Sequence, residues 1–146
     1  MADTLSATAL DRTLQPGETV VEAGCGWGGL GAFLAQNTDA DVVGITLSDS
    51  QVEAARKLSR EQGLRNRLEF IKQDYRTLQG TFDRIVSVGM FEHVGINNYP
   101  TYFRQIKKLL KPGGRYIVID HMAPPGTGAE ATSTIHRVDK AFIEDE

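Results

Sequence analysis

The sequence predicts an α/β fold: a mostly parallel sheet with helices on both faces. Three observations lead there. Short apolar runs of strand length alternate with longer segments whose apolar residues recur at helical spacing. The first run, Val20-Val21-Glu22, breaks at once into Gly24-Cys25-Gly26-Trp27-Gly28-Gly29, which reads as a buried strand turning sharply into a helix. The residues suited to chemistry fall at the ends of the strand runs, where such sheets bind their ligands. With 146 residues, 40% hydrophobic and 24% charged, the chain suits one compact domain over residues 1–146.

The elements follow in order. Val20 to Glu22 closes the first strand, and Gly28 to Gln36 starts a helix with Leu30, Phe33 and Leu34 at helical spacing. Asp41 to Thr46 is the second strand. Ser48-x-x-Gln51 is a capping-box pattern opening a helix with Val52, Ala55 and Leu58 on one face, and Gly63 stops it. Leu68 to Lys72 and Phe82 to Val88 are the third and fourth strands. Pro100 to Leu110 reads as a helix with Tyr102, Phe103, Ile106, Leu109 and Leu110 inward, ended by a turn at Lys111-Pro112-Gly113-Gly114. Arg115 to Asp120 is the fifth strand. After His121, Met122 to Gly128 reads as a loop and Ala131 to Glu146 as one more short helix. Five strands joined by right-handed crossovers place a ligand at the switch point beside the first strand. With no further strand in the pattern, the fifth is expected to be an open edge, which points to a homo-oligomer across it or to low stability.

Composition excludes several classes. A net charge of −3 gives no nucleic-acid footprint. No apolar run approaches a bilayer span, and Met1-Ala2-Asp3-Thr4 lacks the regions of a signal peptide. The lone cysteine, Cys25, excludes an internal disulfide and fits a reducing, cytoplasmic location. It reads as a small side chain in the glycine turn, not a nucleophile, because no histidine lies near it in sequence. Arg56, Lys57, Arg60, Arg65 and Arg67 read as a solvated helix face and loop, with contact to a lipid surface as the alternative. No metal site is expected.

The glycine turn needs a ligand class. Gly24-x-Gly26-x-x-Gly29 and Gly26-x-Gly28-x-x-Gly31 both satisfy the dinucleotide fingerprint. A nicotinamide dinucleotide also needs an acid about 20 residues on, at the end of the second strand. That strand ends in Gly44-Ile45-Thr46-Leu47-Ser48, which has none. Glu22 instead precedes the glycines directly, and a carboxylate there suits a cation such as a sulfonium or an amino group and repels a pyrophosphate. The alternative is a solvated strand-end acid. The third strand runs into Gln73-Asp74-Tyr75, where the acid can accept from an exocyclic amino group and Tyr75 offers a flat wall, or where Asp74 is a turn cap. The fourth runs into Glu92-His93, a candidate acid–base pair. The fifth delivers Asp120-His121, and both histidines have a purely structural role as the alternative.

These segments together resemble the S-adenosylmethionine-dependent cyclopropane-fatty-acid synthases, including the mycolic-acid cyclopropane synthases. The likeness lies in Glu22-Ala23-Gly24-Cys25-Gly26-Trp27-Gly28-Gly29, Gly44-Ile45-Thr46-Leu47-Ser48-x-x-Gln51, Gln73-Asp74-Tyr75-Arg76 and, above all, the stretch Phe82 to Gly95 containing Gly89-Met90-Phe91-Glu92-His93-Val94-Gly95. The resemblance implies a Rossmann-like class I methyltransferase core lacking its last strands, cut short at both ends relative to the family. It assigns Gly24 and Gly26 to the methionine part of the cofactor, Thr46, Leu47 and Gln51 to ribose and adenine, Asp74 and Tyr75 to the adenine, and Val88 to its vicinity. Glu92 and His121 match the residues that hold a bicarbonate ion in the family, and His93 lies beside them. The implied reaction is methyl transfer to the cis double bond of an unsaturated phospholipid acyl chain, with peripheral membrane contact and no nucleic-acid partner. Relatives that methylate small-molecule amines or hydroxyls share the motif, and a cofactor-binding domain without activity is the remaining reading.

Overall fold

The computed structural model describes residues 14–120, 122–123 and 138–139. Its main sheet contains β1 (Thr19–Ala23), β2 (Asp41–Thr46), β3 (Leu68–Lys72), β4 (Phe82–Val88) and β5 (Leu110–Ile119), all parallel, in the order β3-β2-β1-β4-β5. Three helices cross between them: α1 (Gly29–Asn37), α2 (Asp49–Glu61) and α3 (Tyr99–Leu109). The order reverses at β1, whose neighbours are β2 and β4. The expected switch point therefore lies over the glycine turn.

The period-two pleat explains how the strands bury both faces. Val20, Val42, Phe70 and Val86 pack with Leu34 and Ala35 of α1 and Ala55 of α2. Val21, Ala23, Ile45 and Ile85 face the other way, toward Tyr102, Ile106 and Leu109 of α3. Gly28 makes the first layer tight. It sits at φ +89°, and a Cβ there would come within 2.8 Å of both Ala55 Cβ and the Phe70 ring. A side chain would push α1 off the sheet.

The second layer is aromatic. Phe91 stacks on Tyr99 at 4.6 Å between ring centres and tilts against Tyr102 at 5.0 Å. The Tyr102 and Tyr116 hydroxyls lie 2.7 Å apart. This cluster packs the segment between β4 and α3, including the 3-10 turn Phe91–His93, against the sheet.

Three expectations change. The helix begins at Tyr99, with Pro100 in its first turn, where a missing N–H costs nothing. Lys111 to Gly114 turns as expected but does so within β5. Phe82 pairs with Leu110 and Arg84 with Arg115, so the four residues bulge out opposite Asp83. Met122–Ala123 is a two-residue strand, not loop, paired in parallel with Val138–Asp139, where a helix was expected. The rest of the expected loop and of the Ala131 to Glu146 helix lies outside the described residues. No described helix is long and apolar enough to cross a membrane.

Candidate functional site

Two cavities open on the carboxyl side of the sheet and meet at Gly24. The larger, about 440 Å³, runs from Thr46 and Leu47 past Asp74 and Tyr75 to Met90 and His93. The smaller, about 310 Å³, lies over the glycine turn between Glu22, Gly26, Trp27 and Val88. A bulky, two-ended ligand fits this shape better than a compact one.

The turn is built to leave that space open. The N–H groups of Gly24 and Cys25 both donate to the Ile45 carbonyl, at 3.0 and 2.9 Å, which ties the turn to β2. Gly26 takes φ +53°, and a Cβ there would meet nothing within 4 Å, so its glycine serves the backbone conformation and an open face, not internal packing. Gly24 is closed on one side, where a Cβ would meet Met90 Cβ at 2.9 Å.

Glu22 is not a solvated strand-end acid. It is 3% exposed, and its Oε2 lies 3.2 Å from where a Gly31 Cβ would stand, under the first turn of α1. No acid lies in that first turn, so Glu22 meets the positive end of the helix from below. Burial, and secondarily the Glu22 charge, push the Cys25 thiol up to about 12. Cys25 is therefore a protonated core side chain, in keeping with its bland assignment.

Asp74 is a turn cap that also faces the larger cavity. It caps the 3-10 turn Tyr75–Thr77, accepting from the Arg76 N–H at 2.9 Å and from its guanidinium at 2.6 Å. The Arg76 guanidinium hydrogen bond holds the Asp74 carboxyl below the usual range. Tyr75 stands edge-on to Tyr102 at 5.1 Å, and Gln105 of α3 donates to the Tyr75 carbonyl at 2.8 Å, fixing this wall of the cavity. Gln51 completes only half of a capping box. Ser48 Oγ accepts from the Gln51 N–H at 3.4 Å, but the Gln51 side chain turns to accept from the Thr46 hydroxyl at 2.8 Å. Gln51 thus supports the cavity through Thr46 and does not itself line it.

At the far end, on the turn after β4, His93 lines the larger cavity, and Glu92 beside it lines neither cavity. Glu92 Oε1 is 3.4 Å from His93 Nε2, with the Glu92 side chain 11% exposed and that of His93 58%. Glu92 Oε2 is buried with no hydrogen-bond partner among the described residues. The Glu92 N–H donates to Asp120 Oδ2 at 3.0 Å, bringing the ends of β4 and β5 together. His121 lies outside the described residues. Sequence reasoning missed Trp27, Met90 and Gln105, since an apolar side chain or an amide on a helix carries no signal of the cavity it will meet.

Comparison with known proteins follows from this geometry. The family model described as mycolic acid cyclopropane synthetase matches residues 5–146. Over 105 residues, 72% of this chain and 26% of the relative, the sequence is 50% identical to the cyclopropane-fatty-acyl-phospholipid synthase of Escherichia coli K12. The chain thus spans about a quarter of the length of the curated relatives it matches. The cyclopropane synthase MmaA2 from Mycobacterium tuberculosis superposes with a TM-score of 0.73 at 30% identity, covering 79% of this chain and 41% of that one. Coclaurine N-methyltransferase, solved with N-methylheliamine and SAH, superposes with a TM-score of 0.72 at 30% identity, covering 80% and 35%.

Proposed function

We propose, from the premise that this chain belongs to the mycolic acid cyclopropane synthetase family, that it forms the cofactor-binding core of an S-adenosylmethionine-dependent methyltransferase acting on the double bond of an unsaturated phospholipid acyl chain. One observation carries the cofactor: the paired cavities joined at Gly24, with a buried carboxylate, Glu22, in the smaller and the Asp74–Tyr75 wall in the larger. The open face of Gly26 is a cradle that a Cβ would fill. When bound, the cofactor supplies an electrophilic methyl group on a sulfonium.

The chain's own residues divide the work. Glu22 offers its desolvated charge to the cationic amino-acid end, where Coulomb attraction is least screened. Thr46 and Leu47, with Gln51 behind Thr46, hold the ribose side. Asp74, kept ionised by Arg76, would accept from the adenine amino group, and Tyr75 would offer an apolar wall to the base. Val88 closes the floor of the smaller cavity. Glu92 lies near the reacting end beside His93. Its Oε2, without a hydrogen-bond partner among the described residues, fits a bicarbonate, whose hydroxyl would donate to it, and the base that removes the substrate proton would be supplied there. A bilayer would be met on the cavity side, where Trp27 and Leu47 are each 63% exposed. Arg60 closes α2 and Arg65 and Arg67 precede β3, at the opposite end of the sheet.

A labelled-methyl assay on unsaturated phospholipid vesicles tests the proposal. Incorporation that Glu92→Gln abolishes supports it; absence of cofactor binding by calorimetry sinks it. The likeness to an amine methyltransferase and the quarter-length coverage favour a second reading, a cofactor-binding core that turns over a small acceptor or none. Binding without turnover on lipid would select it. We further propose that β5, an edge of the described sheet, pairs with a second copy; sedimentation showing a stable monomer at micromolar concentration would refute that.

A further inference from the structure

We infer that Asp120, on the residue after β5, is a positioning residue for Glu92. The inference rests on the reading of Glu92 as the carboxylate at the reacting end. The turn Phe91–His93 begins at Met90, which supplies no side-chain cap. The first N–H groups of any helical turn lack partners within it. Here His93 and Val94 donate within the turn, to the Met90 and Phe91 carbonyls. The Glu92 N–H, which has no carbonyl to reach in the turn, donates to Asp120 Oδ2 at 3.0 Å, from 28 residues away. The cap is thus delivered by the neighbouring strand, one residue beyond the Ile119 carbonyl that accepts from Gly89 N–H at 2.9 Å.

The consequence is geometric. Glu92 has a buried oxygen with no hydrogen-bond partner among the described residues, and the 3.4 Å approach of its other oxygen to His93 is a loose polar contact, so its side-chain polar contacts alone orient it weakly. What fixes its direction is its backbone, and that backbone is anchored on one side by Phe91, wholly buried in the aromatic cluster, and on the other by Asp120. A carboxylate accepting from a backbone N–H gives a shorter, stronger bond than a neutral acceptor would. Small displacements of a reacting group cost far more in turnover than in cofactor affinity.

Two variants of the whole chain separate positioning from charge. Asp120→Leu keeps the volume and removes the acceptor; Asp120→Asn keeps an acceptor and removes the charge. Amide hydrogen exchange at Glu92 is read by NMR, alongside kcat on unsaturated phospholipid vesicles and calorimetric affinity for S-adenosylmethionine. Asp120→Leu is expected to speed Glu92 exchange and lower kcat by about tenfold or more each, the factor that a lost hydrogen bond of this kind allows, and to leave cofactor affinity unchanged. Asp120→Asn is expected to restore protection and most of kcat. Unchanged exchange in Asp120→Leu overturns the inference, as does an Asp120→Asn variant as impaired as Asp120→Leu. Should Asp120→Leu not fold, wild-type Glu92 exchange in Asp120→Ala overturns it alone. A wild-type chain that transfers no methyl group refutes the proposed function, and the exchange comparison then decides the role of Asp120 by itself.

Discussion

Glu22 and Cys25 lie three residues apart in sequence and are both buried beside the glycine turn. Glu22 is 3% exposed and lies under the amino end of α1, where the partial positive charge of the helix end suits a carboxylate. Burial, followed by the Glu22 charge, raises the Cys25 thiol to about 12. Folded protein at neutral pH is therefore expected to resist alkylation of Cys25, with modification appearing only on unfolding; rapid labelling of the native chain, read by mass spectrometry, would contradict this. Glu22→Gln removes the charge and keeps the shape. Cofactor affinity is expected to fall by about tenfold, equivalent to about 1.4 kcal/mol, in a calorimetric titration, and an unchanged affinity would remove Glu22 from the site. At this scale the sequence was informative wherever backbone demands select a residue type, as with Gly26 and Gly28. It was silent where a side chain had two partners to choose from. Gln51 stands at the capping-box position, yet its amide turns to Thr46, a choice that depends on how β2 meets α2.

Elements show the same division. All five main strands were legible because a buried parallel sheet demands continuous apolar runs. The handling of its edges was not. β3 is an edge strand, and its outward carbonyls include those of Leu68 and Phe70. Ser59 Oγ of α2 donates to the first at 3.1 Å and Arg56 Nε to the second at 2.7 Å, so the helix that covers the face also blocks the edge. Arg56 therefore does more than solvate a helix face, while Arg60 and Arg65 stay beside it. Ser59 is 3% exposed, and Ser59→Ala strands the Leu68 carbonyl without a donor. A loss of about 1 kcal/mol is expected, seen as a fall of about 3 °C in Tm. A Tm within experimental error of wild type would mean that water replaces the hydroxyl. The bulge in β5 was half legible. Lys111-Pro112-Gly113-Gly114 announces a turn, but nothing local says that the strand has already begun at Leu110 before it and resumes at Arg115 after it.

The whole molecule is tied together at the end of the sheet opposite the cavities. Asp83, at the bulge, accepts from the Thr19 N–H at 2.8 Å, the Thr19 hydroxyl at 2.9 Å and Lys111 Nζ at 2.8 Å, so one carboxylate joins β1, β4 and β5. Arg84 beside it pairs with Glu18 at 3.1 Å. None of this touches the cavities, which separates folding from function: variants here are expected to shift stability and leave cofactor affinity alone. The Lys111 hydrogen bond, followed by that from Thr19, lowers the Asp83 pKa from its ordinary 3.8 to about 2. A folded-state pKa below the unfolded one means that the unfolded chain binds the proton first, so the stabilisation is complete above about pH 4 and is lost as the pH falls toward 2. Asp83→Asn cannot titrate, and since all three contacts converge on Oδ2, it replaces a charged acceptor by a neutral one. It is expected to be less stable at pH 7 by about 1–2 kcal/mol, since hydrogen bonds to a charged group become bonds to a neutral one. Denaturant unfolding of both proteins from pH 7 to pH 2 checks this, with the difference expected to hold above pH 4 and to shrink below it. A difference that stays constant down to pH 2 would mean that the carboxylate's charge does not hold these three strands together.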